Sequence, residues 1–256
     1  MADINGENLL ISADILRSKF GVNPTGILHV GAHLGEESKL YIDAGWSCEI
    51  IWVEGQKKLA DTLKRGLPTR NKVIHAVVWD SNGTKLDFKE TNNSQSSSLY
   101  DLGTHKLDYP DILVTKIKKV TTRRLDSFIK YSDKIDLLVL DIQGAELRAI
   151  IGLGEHLRRV KYIYSEVNKR EVYIGCPNVK NLDNYLIDFG FKRIATKWVI
   201  SKGWGDALWI KTDLIDGYWF NIYFFKFKEL QNLISVVVKP TFIIRKLNLK
   251  RFKNSL

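Results

Sequence analysis

The 256-residue chain holds only two cysteines, Cys48 and Cys176. Two thiols make no disulfide framework, and both read as free thiols in a reducing, cytoplasmic compartment. Long apolar runs are missing too. No stretch approaches the ~20 apolar residues of a spanning helix, and the longest candidate, Leu233 to Ile244, is broken by Lys239-Pro240. The opening segment, Met1 to Glu7, carries acids and no basic stretch, so it does not read as a signal peptide. Neither a P-loop nor a G-x-S-x-G turn occurs, and no His/Cys/Asp/Glu spacing resembles a structural zinc site. These absences exclude a disulfide scaffold, a membrane span, a P-loop nucleotidase and an elbow-type serine hydrolase.

What is present is ordinary globular composition, 45% hydrophobic and 27% charged, with a length that suits one large domain and an appendage. The net charge of +10 is uneven. From Asn221 to Leu256 there are eight Lys/Arg against one acid, Glu229, so the tail supplies +7 and the first 220 residues only +3. A near-neutral domain with a basic tail argues against nucleic acid as partner and points to an anionic surface touched by the tail.

Apolar runs alternate with amphipathic segments. Strands are expected over Ile27–Val30, Glu49–Val53, Val73–Val78 and Ile135–Leu140, and over Lys161–Ser165 with Glu166 at its end. Helices are expected over Asn8–Phe20, Glu36–Ala44, Lys57–Arg65, Ala145–Leu153 and Val179–Phe189. Lys85–Lys89 reads as a short strand, Lys116–Leu125 as an edge strand, and Thr91–Ser98 as a functional or disordered loop. Two last strands, Phe191–Ile194 and Ala207–Ile210, lack a helix between them and suggest an antiparallel hairpin. The expected fold is α/β, a mostly parallel seven-stranded sheet covered on both faces, with an antiparallel edge hairpin. The domain is expected over 1–212 and the basic aromatic tail over 213–256.

Three strand ends carry the chemistry. Val30-Gly31-Ala32-His33-Leu34-Gly35-Glu36-Glu37-Ser38 runs from a strand through a glycine turn into a helix. Glycines let the backbone pass close to a ligand. The spacing is not the dinucleotide G-x-G-x-x-G, and the acids Glu36 and Glu37 repel a pyrophosphate but not a cationic sulfonium. Glu54 ends the second strand, 19 positions after Gly35, where an acid can accept both ribose hydroxyls of an adenosine. Asp141 ends the central strand in Leu140-Asp141-Ile142-Gln143-Gly144-Ala145-Glu146, and Glu166 ends the next. All three acids would converge where open α/β sheets bind ligands. Gln95 and the serines 96–98, with Ser97 central, could close over the cofactor. The bland readings are a tight turn, a helix-capping acid and a solvated serine loop. His29 and His75 read as packed strand histidines, whereas His33 faces the pocket.

Together these segments resemble the FkbM family of methyltransferases. The carriers are His29–Glu37, Ile51-Trp52-Val53-Glu54, Asn92–Leu99, Thr122–Asp126, Leu140–Leu147, and Glu166-Val167 with Tyr173-Ile174-Gly175. The resemblance spans about Thr25 to Lys211. It implies a class I, Rossmann-like fold, S-adenosylmethionine as donor, and O-methylation of a sugar, glycan or natural-product hydroxyl. On that reading Gly31, Ala32, His33, Gly35, Glu36, Ser38, Glu54, Gln95, Ser97 and Asp141 hold the cofactor. Asp141 is the first candidate for general base, Glu166 the second and His33 the third. A divalent ion held by such carboxylates would polarise the hydroxyl, and the sequence neither indicates nor excludes one. Rival readings are a methyltransferase of a non-sugar small molecule, a nucleotide-binding oxidoreductase on the same fold, a nucleic-acid methyltransferase and a non-catalytic binding module. The Asn/Asp-Pro-Pro-aromatic run common in base N-methylation is replaced here by Asp141-Ile142-Gln143-Gly144. The tail aromatics, from Tyr218-Trp219-Phe220 onward, suit either a peripheral membrane contact or cover over the domain or over a second copy in a homo-oligomer.

Overall fold

The computed structural model describes residues 9–68 and 70–215. Its strands are β1 (Gly26–Val30), β2 (Glu49–Glu54), β3 (Lys72–His75), β4 (Val77–Val78), β5 (Lys85–Thr91), β6 (Val114–Arg123), β7 (Leu137–Leu140), β8 (Tyr162–Asn168), β9 (Phe191–Trp198) and β10 (Trp204–Lys211). The helices are α1 (Ala13–Phe20), α2 (Glu37–Asp43), α3 (Lys57–Gly66), α4 (His105–Asp108), α5 (Glu146–Leu153) and α6 (Val179–Ile187).

Seven strands form the main sheet in the order β3-β2-β1-β7-β8-β10-β9. The first five in that order run parallel; β10 pairs antiparallel with both β8 and β9. The expected sheet and its antiparallel edge hairpin are therefore present. Every residue of β1 and β7 is buried, which is why their sequences read as continuous apolar runs rather than alternating ones. On one face Leu28, Val30, Ile51 and Leu138 share a core with Ala149 and Leu153 of α5 and Leu186 of α6. On the other, His29 stacks on Trp52 at 4.7 Å and meets the Tyr41 hydroxyl of α2 at 3.0 Å. Burial lowers the His29 pKa to about 3, so it is a neutral core histidine, as its pattern suggested.

Five local expectations differ. The N-terminal helix starts at Ala13, not Asn8: the Leu10 and Ile11 N–H groups go instead to Asp206 (2.9 Å) and to the Tyr164 hydroxyl (3.0 Å), and Ser12 caps the shorter helix. Val73–Val78 is two strands. Ala76 N–H bonds to the Glu54 carbonyl (3.0 Å), and beyond it β4 leaves the main sheet to pair with β6. β6 is not a main-sheet edge but the centre of a separate three-stranded sheet, β4-β6-β5, and most of the residues of β6 itself are exposed. Its half-solvated alternation gives no sign of which sheet it joins. β8 continues past Glu166 to Asn168 because β10 pairs with it to the end. His75 is exposed, not packed, and bonds to the Gly55 carbonyl at 3.1 Å. The tail 213–256 lies, apart from its first three residues, outside the described residues.

Candidate active site

The carboxyl ends of β1, β2, β7 and β8 open into one cavity of about 710 Å³. Parallel strands deliver their ends to the same side of the sheet, so acids far apart in sequence meet there.

At one end lies the glycine turn. Gly31 has φ +91°, and a Cβ there would sit 1.8 Å from the Asp141 carbonyl oxygen. Only glycine lets the ends of β1 and β7 approach this closely. His33 follows with φ +45°, a strained state for a side-chain-bearing residue. Its N–H donates to Glu54 Oε2 at 2.8 Å, and Gln56 N–H donates to Glu54 Oε1 at 2.7 Å. Two backbone donors orient the carboxylate, and each oxygen keeps a lone pair for a ligand hydroxyl. Glu54 is buried, and burial raises its pKa despite those donors. The His33 ring joins Glu36 Oε1 through Nδ1 (2.6 Å) and Ser94 Oγ through Nε2 (2.8 Å). The hydrogen bond to Glu36 raises its pKa. Gln56 Nε2 also reaches the Ser94 carbonyl at 3.1 Å, so the serine loop is latched over the glycine turn from two sides.

That loop holds a short 3-10 turn over Ser94–Ser96. Ser96, Ser97 and Ser98 are buried, and Gln95, Ser96 and Ser97 line the cavity. Ser98 Oγ donates to the Gln143 carbonyl at 2.7 Å, carrying the loop across to the second group of acids.

There Gln143, also left-handed at φ +55°, holds two carboxylates with one amide. Its Nε2 donates to Asp141 Oδ1 at 2.5 Å and to Glu166 Oε2 at 3.1 Å, and its Oε1 accepts from the Tyr173 hydroxyl. The turn that places it is held by Glu146, whose Oε1 accepts from Ile142 N–H (3.1 Å) and Gly144 N–H (3.0 Å). Asp141 is accessible from the cavity yet ringed by protein, and desolvation raises its pKa. Glu166 is 9% exposed, and burial, then the charges of Asp141, Glu146 and Asp206, hold its pKa well above the carboxylate range. Both carboxyls are thus held above their usual range, Glu166 the further, so of the two Glu166 is the one that more readily keeps a proton.

Of the residues picked from sequence, Gly31, His33, Glu36, Glu54, Gln95, Ser97, Asp141 and Glu166 line this cavity. Ala32, Gly35 and Ser38 do not. Ala32 is buried with its N–H on the Val53 carbonyl, Gly35 (φ +74°) packs against Leu63, and Ser38 N–H bonds to the Gly35 carbonyl. These three shape the turn rather than face the cavity. Sequence reasoning missed Gln56, Ser94, Gln143 and Tyr173 as site residues. Gln143 and Tyr173 stood inside recognised blocks, but nothing in either block marks an amide as the bridge between two acids. Among the described residues no group of three or more His, Cys, Asp or Glu could hold a metal ion.

A family model for the methyltransferase FkbM domain matches residues 29–193, more than half of the chain. Over 160 residues the chain is 26% identical to the 2-O-methyltransferase NoeI of Sinorhizobium fredii (strain NBRC 101917 / NGR234), covering 58% of this chain and 65% of NoeI. It thus spans just under two thirds of that relative's length. Solved structures of similar fold include TrmK of M. capricolum in complex with S-adenosyl-homocysteine (11% identity, 77% of this chain and 67% of that one, TM-score 0.40). Another is magnesium protoporphyrin IX methyltransferase of Synechocystis PCC 6803 with bound SAM (10% identity, 78% and 76%, TM-score 0.43).

Proposed function

The chain belongs to the FkbM methyltransferase family, a family of S-adenosylmethionine-dependent enzymes, and we propose that it O-methylates a hydroxyl of a sugar or glycan. The observation that carries this reading is the pair Asp141 and Glu166, held by one amide at the far end of a cavity that begins at the glycine turn and Glu54.

The residues at the first end suit the cofactor. Glu54 presents two oriented oxygens to ribose hydroxyls, and the acids Glu36, Glu37 and Asp141 along the cavity favour a cationic sulfonium. When bound, S-adenosylmethionine supplies an electrophilic methyl group and departs as a neutral thioether. The serine loop, latched by His33 and Gln56, covers this end and excludes water. With both ring nitrogens engaged, His33 serves here as a latch, and Asp141 is the better base.

A sugar hydroxyl is a weak acid, so its oxygen must lose a proton as it attacks. Asp141, open to the cavity, takes that proton in its ionised form; the new bond is C–O, and the bond broken is the sulfonium C–S. Glu166, tied to Asp141 through Gln143, holds the base in place. Alignment of acceptor oxygen and methyl carbon supplies the remaining acceleration. The kinship with NoeI, named as a 2-O-methyltransferase, supports an oxygen acceptor.

The test is incubation with methyl-labelled S-adenosylmethionine and a panel of sugars, glycans and glycolipids, with the label position mapped. Transfer to a non-sugar hydroxyl alone would replace the sugar reading by the small-molecule one. Thermal stabilisation by NAD but not by S-adenosylhomocysteine would replace both with an oxidoreductase. Among the described residues no helix is long and apolar enough to cross a membrane. A peripheral contact through the basic tail, which would bring the site to a lipid-linked glycan, belongs to the same proposal. Its check is vesicle co-sedimentation of the full chain against a chain ending near Thr212. Equal recovery of both with anionic vesicles would remove the contact.

A further inference from the structure

The acceptor end of the cavity has a wall with no role in the chemistry above. Trp204, at the start of β10, and Tyr109, just after α4, both line it. The Trp204 indole N–H donates to the Tyr109 hydroxyl at 3.2 Å, which fixes the two rings in one surface and uses up the indole's only polar group. The wall is braced from behind. Lys202 lies 4.5 Å from the Tyr109 ring centroid and donates to the Asp108 carbonyl at 2.6 Å. Arg170 grips the Asp108 carboxylate with two bonds of 3.1 Å. His105 packs between Tyr109 (5.1 Å) and Tyr173 (5.4 Å), and Tyr173 donates to the Gln143 amide that holds Asp141. The aromatic surface is thus tied through one chain of contacts to the proposed base.

The charge of the cavity is one-sided. Among the described residues seven carboxyl groups line it, against a single lysine, Lys202, already engaged with Asp108 and Tyr109. An acceptor bearing its own carboxylate or phosphate would bring like charge into a partly desolvated space.

We propose that the acceptor is an uncharged sugar ring seated on the Trp204–Tyr109 wall, with its apolar C–H face on the indole and a hydroxyl directed to Asp141. This rests on the sugar O-methylation reading and narrows it: uronic acids, sugar phosphates and nucleotide sugars are excluded from the methylated position.

The test is ligand-observed NMR and calorimetry on the full chain saturated with S-adenosylhomocysteine. The probes are methyl glycosides of neutral hexoses and 6-deoxyhexoses, the matching hexuronides and the matching hexose 6-phosphates. Neutral rings should bind at least tenfold more tightly than their charged counterparts at low salt. Trp204→Ala should cost at least tenfold in neutral-ring affinity with S-adenosylhomocysteine affinity unchanged, and Trp204→Phe should restore most of the loss. Hexuronides or phosphates binding as well as neutral rings would overturn the inference and leave sugar methylation standing. So would Trp204→Ala retaining both ligands. If no glycoside of any charge binds while labelled methyl passes to a non-sugar alcohol, the inference and the sugar reading fail together.

Discussion

Glu54 and Glu166 occupy matching places, each at or near the carboxyl end of a strand, each buried, each with a raised pKa. Their surroundings are opposite. Glu54 is met by two backbone N–H groups, which favour its ionised, accepting form against the cost of burial. Glu166 is met by three other acids and one side-chain amide, so its environment favours the protonated form. One carboxylate is set to accept from a ligand and the other to keep a proton. The same residue type at the same topological position takes its role from whether backbone dipoles or like charges face it.

The comparison is broken most directly at the proton-handling end. Asp141→Asn should reduce turnover by a factor on the order of 10²–10⁴, the usual span for a lost general base. Glu166→Gln should have a smaller effect, because a neutral amide replaces the acid that more readily keeps its proton. Cofactor affinity should hold in Glu166→Gln. Single-turnover transfer assays with matched calorimetry would check both, and equal losses in the two variants would show that Glu166, too, acts ionised.

At the other end the readout is binding. Glu54→Ala should weaken S-adenosylhomocysteine by about 1–3 kcal/mol, the scale of hydrogen bonds to a charged group. It also strands the His33 and Gln56 N–H groups, so Glu54→Gln, which still offers an acceptor to one of them, should lose less. Unchanged calorimetric affinity in Glu54→Ala would remove Glu54 from the cofactor site.

The two ends also differ in how much of them sequence discloses. The Gly31 turn and Glu54 are local features: a strand run, a glycine where the chain must turn, an acid after the next strand. Residues in one short window suffice, and the structure puts all of them at one place. The wall of Trp204, Tyr109 and His105 is different in kind. It depends on β10 entering antiparallel between β8 and β9, and on α4 folding back so that His105 N–H meets the Val172 carbonyl at 3.1 Å. No window contains those pairings. Gln143 falls between the cases, visible as part of a motif but mute about its task, since its left-handed backbone is a consequence of the Glu146-held turn. The same locality limit explains the strand errors. The Val73–Val78 run is continuous in hydrophobicity, but the change of sheet at Ala76 is decided by Glu54 and β6.

The smallest effect expected is on stability, and it tests whether like charge is built into the acceptor end. Asp206, directly opposite Glu166 in the β8–β10 ladder, accepts from Leu10 N–H and from the Tyr164 hydroxyl, and burial raises its pKa to about 7. Glu146 is raised to about 7 by the same cause. In the unfolded chain both titrate near 4. Below that pH both states hold these protons, and the contribution to stability is complete. Between about pH 4 and 7 the unfolded chain releases them while the folded one keeps them, so stability falls as pH rises. Above 7 both states are ionised and the curve flattens. A tenfold change in proton affinity between the two states corresponds to about 1.4 kcal/mol. Relaxation and water entry lessen such penalties, so the share of Asp206 should be about 1–2 kcal/mol. Asp206→Asn cannot ionise and can still accept from Leu10 N–H. Its melting temperature, compared with the parent chain, should therefore improve steadily from pH 4 to 7 and hold constant above. Parallel melting curves across that range would mean that Asp206 is already ionised in the folded protein. The acceptor end would then carry one more fixed negative charge, and its contrast with the backbone-supported Glu54 would sharpen further.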